Sequence, residues 1–503
     1  MSSFTLSDWL LQRLAIGAGE PAYRQLYKLI CRAILDGHLE AGTRLPSSRI
    51  LACDLAVARN TVIQVYEQLV IEGYANAASG RGTYVEDLSP DQIEGLPNKG
   101  VGDDGQLPAP YPRRGLSRRG QDLMDNAGFS NRQMGAFMPG IPDVTEFPFK
   151  AWLRIQNKQW RRGAPQLMSY APAGGYEPLR HAVSEYLSSV RSVNSTARQV
   201  VITTGIHQAV DVATRLLCQV GDAVWIEEPS YWGVRNLVLS SGLRAVPISV
   251  DQEGMCPTAE ELATPPKLIV VTPSHQYPLG MVMSLARRRM LLEYARQNGC
   301  WILEDDYDSE FRFGRRPLPS LQGLDEGGLV FYAGSFSKTL FPGLRVGFLV
   351  VPEDLATHFA GAVAELYREG QLITQSVLAE FLREGHLASH IRRVRNLYAE
   401  RRLGLIAAIT RRYGDSLDIV GEHAGLHLVL ALPGRIDDRR VTYDAIAQGV
   451  VVRPLSNYYM KVGAEKKGLL MGYAAVPMAE IDPAFDVLAA VIDAQLDGTA
   501  RLN

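Results

Sequence analysis

The sequence predicts an α/β protein in which a small helical module precedes a large, sheet-containing domain across an irregular linker. Three observations carry this. Over residues 21–72 apolar side chains recur at the 3.6-residue helical spacing. Beyond residue 134, apolar strands run into glycine, serine or acidic turns, as at 200–205, 302–306 and 329–335. Between these regions, residues 86–133 hold five Pro and seven Gly, acidic at first (Glu86, Asp87, Asp91, Glu94, Asp103, Asp104) and basic later (Arg113, Arg114, Arg118, Arg119). Such a stretch cannot bury enough apolar surface to fold alone and reads as a partly flexible tether. The domain boundaries are therefore 1–85, 86–133 and 134–503.

In the first module, apolar residues at 22, 23, 26, 27, 30, 33 and 34 make one amphipathic helix that stops at Gly37. A second, short helix follows Leu45-Pro-Ser-Ser-Arg49, where Ser47 or Ser48 caps the free amides. A third runs from Arg59 or Asn60 to Glu72, apolar at 62, 65, 66, 69 and 70, with Gly73 closing it. Three helices with a tight turn (Ala56–Arg59) before the third form a helix-turn-helix. Two extended arms around Gly80-Arg81-Gly82 then outline a wing. Net charge over residues 1–85 is +1, from eight Lys/Arg and seven Asp/Glu, so bulk charge does not argue for nucleic acid. Placement does. Arg44, Arg49 and Arg59 precede or open the second and third helices, Ser48 stands with Arg49, and Arg81 and Gly82 form the wing tip. Arginines at helix N-termini suit phosphates, and Asn60 and Thr61 begin the helix that would enter the major groove.

Chemistry in the large domain centres on Lys338. An apolar strand (Leu329–Tyr332) ends in Ala333-Gly-Ser-Phe-Ser-Lys338, which presents one amine beside Ser335 and Ser337, with Arg345 seven residues on. An amine that condenses with an aldehyde, beside hydroxyls and a guanidinium that hold a phosphate, suits pyridoxal 5'-phosphate (PLP). Upstream, Ile302-Leu-Glu-Asp-Asp-Tyr307 offers Asp305 to a pyridine nitrogen and Tyr307 to a ring hydroxyl at a strand's C-terminal end. Asp306, Asp308 and Glu310 read as a solvated acidic run. Val200–Leu217 reads as strand, tight turn and helix, so the Gly205, Ile206 and His207 amides open an anion site.

In this order, the motifs resemble the fold-type I aminotransferases over about residues 134–500. The resemblance implies a mostly parallel central sheet with a smaller C-terminal α+β subdomain. It makes Lys338 the Schiff-base lysine, Asp305 the partner of the ring nitrogen, Tyr307 the donor to the ring hydroxyl, and Ser335 and Arg345 phosphate ligands. It also places Tyr231 on the ring face and Tyr170 against the phosphate of a neighbouring subunit. Two positions depart from the family. Tyr277 stands where an asparagine usually touches the ring hydroxyl, with His275 or Gln276 as its substitute. Leu470 stands where an arginine usually grips the substrate carboxylate, with Arg453 as a replacement that would contact an effector.

Pro46-Ser-Ser-Arg49, Arg59-Asn-Thr-Val62 and Gly80-Arg-Gly-Thr-Tyr-Val85 resemble the GntR-type winged helix, and the fusion resembles the MocR/GabR regulators. That implies a PLP-dependent regulator that binds double-stranded DNA, senses a small amino compound or PLP itself, and forms a head-to-tail homodimer. The competing reading is a working aminotransferase with an accessory DNA-binding domain. Five cysteines without metal-ligand spacing fit a reducing cytoplasm, and no metal is expected. No leader or run of 18 apolar residues is present, so a cytoplasmic protein without membrane contact is expected.

Overall fold

A computed structural model describes residues 6–14, 20–78, 82–86, 115–125, 134–313, 319–368, 370–461 and 463–500. The chain divides into two compact units, Met1–Pro112 and Arg113–Asn503.

The first unit holds helices α1 (Leu6–Leu11), α2 (Ala22–Leu35), α3 (Ser48–Asp54) and α4 (Arg59–Ile71) and the hairpin β1 (Ala75–Ala78) and β2 (Gly82–Val85). The three expected helices form because Leu26, Ile30, Leu51, Leu55, Val62, Val65 and Leu69 project into one core. α1 was not anticipated as an element, and its Trp9 and Leu10 complete that core. Ser47, not Ser48, caps α3: its hydroxyl accepts the Ile50 amide at 3.2 Å. The wing is antiparallel, Ala75 opposite Val85 and Ala78 opposite Gly82, and Arg44 bridges to Tyr84 as a third edge.

In the second unit the segment read as tether contains a helix, α5 (Arg118–Asp125), packed on α9 (Trp232–Ser240); α6 (Phe149–Arg162), α7 (Glu177–Arg191) and α8 (Ile206–Leu217) lie between them in the chain. The rest of the tether falls largely outside the described residues. The large sheet uses β3 (Val200–Thr203), β4 (Ala223–Glu228), β5 (Arg244–Asp251), β6 (Gly254–Met255), β7 (Leu268–Val271), β8 (Trp301–Asp306), β9 (Val330–Ser335) and β10 (Gly347–Val350). Their order is β3-β10-β9-β8-β7-β4-β5-β6. Pairs β9–β8, β8–β7, β7–β4 and β4–β5 are parallel, and β10 runs against both β9 and β3. The inner strands β7, β8 and β9 are buried along nearly their whole length, as in a sheet covered by helices on both faces.

A smaller antiparallel sheet follows: β11 (Ile419–Val420), β12 (His427–Ala431), β13 (Arg453–Pro454) and β14 (Gly468–Gly472), in the order β11-β12-β14-β13. One face (Leu428, Leu430, Leu469, Met471) packs into the core shared with the long helices His386–Tyr413 and Met478–Ala500. The other (Val429, Leu470) packs with Leu279, Leu455 and Tyr458. The carboxyl ends of β8 and β9 therefore open towards this second face, where α/β sheets place ligands.

Candidate functional site

Lys338 lies in the turn after β9, and its Nζ donates to the Gly140 carbonyl at 2.6 Å. Burial lowers its pKa, opposed by Asp308 and Asp305. Asp305 ends β8. Burial, then Asp306, Asp308 and Glu227, push its carboxyl up to about 8, with Lys338 opposing. It accepts no hydrogen bond among the described residues. A buried carboxyl lacking a donor, beside a buried amine, fits a protonated ring nitrogen next to the aldehyde that the amine would take.

The turn before α8 is equally open. Gly205 (φ +119°) precedes α8 without a side-chain cap, and the Ile206 and His207 amides donate to nothing among the described residues. β10 approaches so closely that a Cβ on Gly347 would lie 2.7 Å from the Gly205 Cα. Ser335 Oγ accepts the Ser337 amide at 3.0 Å and donates to Ser337 Oγ at 2.8 Å. Arg345, left-handed at φ 51°, acts electrostatically on His207 and Tyr231 and so belongs to this end.

Aromatic rings wall the centre. Tyr231, at the start of α9, shares its hydroxyl with His207 Nε2 at 3.0 Å and meets Tyr277 edge-on at 5.8 Å. Burial pushes its phenol up to about 12. Tyr277 also stands edge-on to Tyr307 at 5.6 Å, while its hydroxyl pairs with Tyr458 at 3.2 Å. Of the two residues offered for the usual asparagine, His275 is the one that meets Tyr307, its Nδ1 lying 2.8 Å from the phenol hydroxyl. Gln276 is committed to the Pro229 and Tyr277 carbonyls and to the Leu279 amide.

The acidic run is not solvated, which corrects the expectation for Asp306, Asp308 and Glu310. Asp306 accepts from Arg191 at 2.7 Å and from Tyr332 at 2.6 Å; Asp308 faces His275 at 3.0 Å; Glu310 accepts from Tyr186 at 2.9 Å. The run ends an inner strand, so its side chains point among covering elements that bring cations and donors to them. Sequence reasoning also missed His427, whose Nε2 bonds the Pro278 carbonyl at 3.0 Å and whose ring burial drives to a pKa of about 3.

Tyr170 is not brought into the site of its own chain. It is 77% exposed and lines a cavity of about 260 Å³ with Gly174, Val363 and Arg368. Leu470 is fully buried, and Arg453 sits opposite it in the β13–β14 register. Residues opposed in an antiparallel pair share a face, so Arg453 looks towards Tyr277 and Tyr458, on both of which its charge acts. In the first unit Arg49 opens α3, while Arg59, Asn60 and Thr61 form the first turn of α4. Arg44 lies over Gly82, where a Cβ would come within 3.0 Å of the arginine Nε at φ +111°, so Gly82 seats that arginine. No carboxylate pairs with Arg44, Arg49 or Arg59 among the described residues. Arg81 lies outside the described residues.

Residues 141–488 match the family of class I and II aminotransferases, and residues 22–85 match the gntR family of bacterial regulatory proteins. The probable rhizopine catabolism regulatory protein MocR of Rhizobium meliloti is 39% identical over 459 residues, 91% of each chain. The chain belongs to the MocR-type transcriptional regulators. The pyridoxine biosynthesis transcriptional regulator PdxR of Corynebacterium glutamicum is 29% identical over 470 residues, 92% of this chain and 94% of its own. Among solved structures, the Pyrococcus horikoshii kynurenine aminotransferase superposes with a TM-score of 0.66 at 25% identity, covering 76% of this chain and 95% of its own. The Thermus thermophilus α-aminoadipate aminotransferase LysN, complexed with N-(5'-phosphopyridoxyl)-L-leucine, gives 0.66 at 26%, covering 76% and 96%. This MocR-type regulator is thus a DNA-binding transcription factor whose aminotransferase-like domain takes PLP as cofactor. Among its described residues no helix is long and apolar enough to cross a membrane, and no cluster of His, Cys, Asp or Glu is arranged to hold a metal ion.

Proposed function

We propose that this MocR-type regulator reads a small amine at its PLP site and passes that occupancy to the winged module, changing its affinity for operator DNA. The two sites would be linked by a coupling free energy. The observation that supports this most is a buried Lys338 whose charge acts on a buried Asp305 that lacks a donor, in a chain whose helix-opening arginines have no acid partner among the described residues. When bound, PLP supplies an aldehyde that condenses with primary amines. The chain holds it: Asp305 at the ring nitrogen, Tyr307 at the ring hydroxyl, Tyr231 at the ring face. Gly205, Ile206, His207, Ser335, Ser337 and Arg345 hold the phosphate. Arg44, Ser48, Arg49, Arg59, Asn60, Thr61, Arg81 and Gly82 form the DNA face.

The exposure of Tyr170 supports a head-to-tail homodimer in which it reaches the partner's phosphate. Arg453 takes the effector contact that the apolar Leu470 cannot make. Leu470 also weighs against transamination of α-amino acids, because the carboxylate would lose a charge-assisted pair of about 1.5–3 kcal/mol and the orientation it enforces. A soluble cytoplasmic factor fits this role.

The test is DNA-binding anisotropy with the segment upstream of the protein's own gene, using PLP-loaded chain and a panel of amines. At least one amine should change affinity several-fold, and Lys338→Ala should abolish that response. A response to PLP removal but to no amine would make PLP itself the signal; no response to either overturns the sensing role.

A further inference from the structure

Behind Tyr307, two groups compete for one nitrogen. His275 Nδ1 lies 3.0 and 3.1 Å from the two Asp308 carboxylate oxygens and 2.8 Å from the Tyr307 hydroxyl. His275 is 2% exposed and Asp308 1%, so no solvent intervenes. Burial raises the Asp308 pKa and His275 opposes that rise; as a carboxylate Asp308 only accepts, and it then fixes a hydrogen on Nδ1, whatever the state of Nε2. A nitrogen carrying hydrogen cannot accept from Tyr307. The phenol oxygen is therefore on the receiving side of a shared N–H, and its own hydrogen must go elsewhere.

The surroundings leave few alternatives. Tyr277, in place of the usual asparagine, spends its hydroxyl on Tyr458, and Gln276 is held by the turn. A Cβ on Gly425 would lie 2.1 Å from His275 Cε1 and 2.6 Å from an Asp308 oxygen, so the pair is packed against bare backbone that keeps it in register. The other charged or titratable groups acting on Tyr307 are Asp305, Glu227 and Tyr277, and those acting on Lys338 or felt from it are Asp305, Asp308 and His427. None of these donates a hydrogen bond to the Tyr307 oxygen.

We infer that Asp308 and His275 are positioning residues that turn the Tyr307 hydroxyl hydrogen away from the histidine and towards the ring oxygen of PLP, in place of the missing asparagine. The inference rests on the reading that PLP occupies the Lys338 site. The side chains form a relay of direction, not of protons: the carboxylate sets the histidine hydrogen, and the histidine hydrogen sets the phenol.

The decisive variant is Asp308→Asn in the PLP-loaded full chain. Asparagine removes the anion that holds the ring hydrogen on Nδ1 and, since both oxygens lie against that nitrogen, sets an NH2 group within its reach in either amide orientation, so the tautomer with the hydrogen on Nε2 becomes accessible. Tyr307 then donates to histidine. The readout is the pH at which the visible band of the bound cofactor titrates. Loss of negative charge near Lys338 lowers that midpoint. Withdrawal of the phenol hydrogen raises it, because the ring oxygen needs the donor most once the neighbouring nitrogen has lost its proton.

Only the charge effect survives in a Tyr307→Phe background. The Asp308→Asn shift should therefore be more positive, by about one pH unit or tenfold in the proton equilibrium, with Tyr307 present than without it. Equal shifts in both backgrounds overturn the positioning role. Should Asp308→Asn fail to fold, His275→Gln is measured in the same two backgrounds with the same criterion. Equilibrium dialysis of PLP gives a second readout, in which Asp308→Asn and Tyr307→Phe should be non-additive; strict additivity overturns the inference. A missing visible band in the unsubstituted chain would overturn the cofactor reading itself, whereas a normal band without coupling overturns only the relay.

Discussion

Asp305 is the residue at which stability and function should separate, and Asp305→Asn measures the separation. In the cofactor-free protein its carboxyl rises from 3.8 to about 8. The unfolded chain ionises Asp305 near its ordinary value, so between about pH 4 and pH 8 the folded state keeps a proton that the unfolded state has lost. Stability therefore falls as pH rises through that window. The difference, about 8 less 3.8 or about four pH units, at about 1.4 kcal/mol each bounds the loss at ~6 kcal/mol. Asp306, Asp308 and Glu227 share the strain with Asp305, which brings the expected figure to ~2–3 kcal/mol.

Asn removes the ionisation. Cofactor-free Asp305→Asn should therefore unfold later in denaturant than the unsubstituted protein at pH 8, by an amount that shrinks towards zero near pH 4. Five of the six tryptophans lie in the second unit, so tryptophan fluorescence follows the relevant transition. PLP affinity should move the other way, at least tenfold weaker by equilibrium dialysis, because the ring nitrogen loses its counter-charge. A variant no more stable than the parent at pH 8, or one that binds PLP unchanged, would refute the assignment of Asp305 to the ring nitrogen.

Lys338→Ala should lose all borohydride-fixable PLP while keeping the parent circular dichroism; covalent trapping elsewhere would displace Lys338 as the Schiff-base residue. Arg49→Ala and Arg59→Ala should each flatten the slope of log affinity against log salt by about one, measured by anisotropy, since each neutralised phosphate releases counterions. Mixing a Tyr170→Phe chain with a Lys338→Ala chain should give heterodimers that retain PLP better than the Tyr170→Phe homodimer. Equal retention in that dialysis would place Tyr170 in the site of its own subunit.

Much of this protein was legible along the chain because it is local. The apolar spacing that makes α2 and α4, the serine at the head of α3 and the Gly205 turn before α8 are each set within a few residues. The order of the phosphate turn, acidic strand end and lysine strand is likewise a property of the chain, and it pointed to PLP before any contact was known. Other features depend on which elements meet. Asp306 and Asp308 look like solvent-facing acids until Arg191 arrives from α7 and His275 from the turn after β7. Arg453 and Leu470 lie 17 positions apart, and only the β13–β14 register sets them side by side on the face that looks at Tyr277. Trp9 and Leu10 lie in a short amphipathic stretch broken by Asp8 and Arg13, and they become core only because α2 and the rest of the module offer them a surface. Burial and cross-strand register are non-local, since they depend on partners remote in the chain. The sequence by itself therefore determined the order of a gntR-type module and an aminotransferase-like domain, and the cofactor. Tertiary structure alone decided which acid is paired, which histidine serves Tyr307 and which arginine faces the pocket.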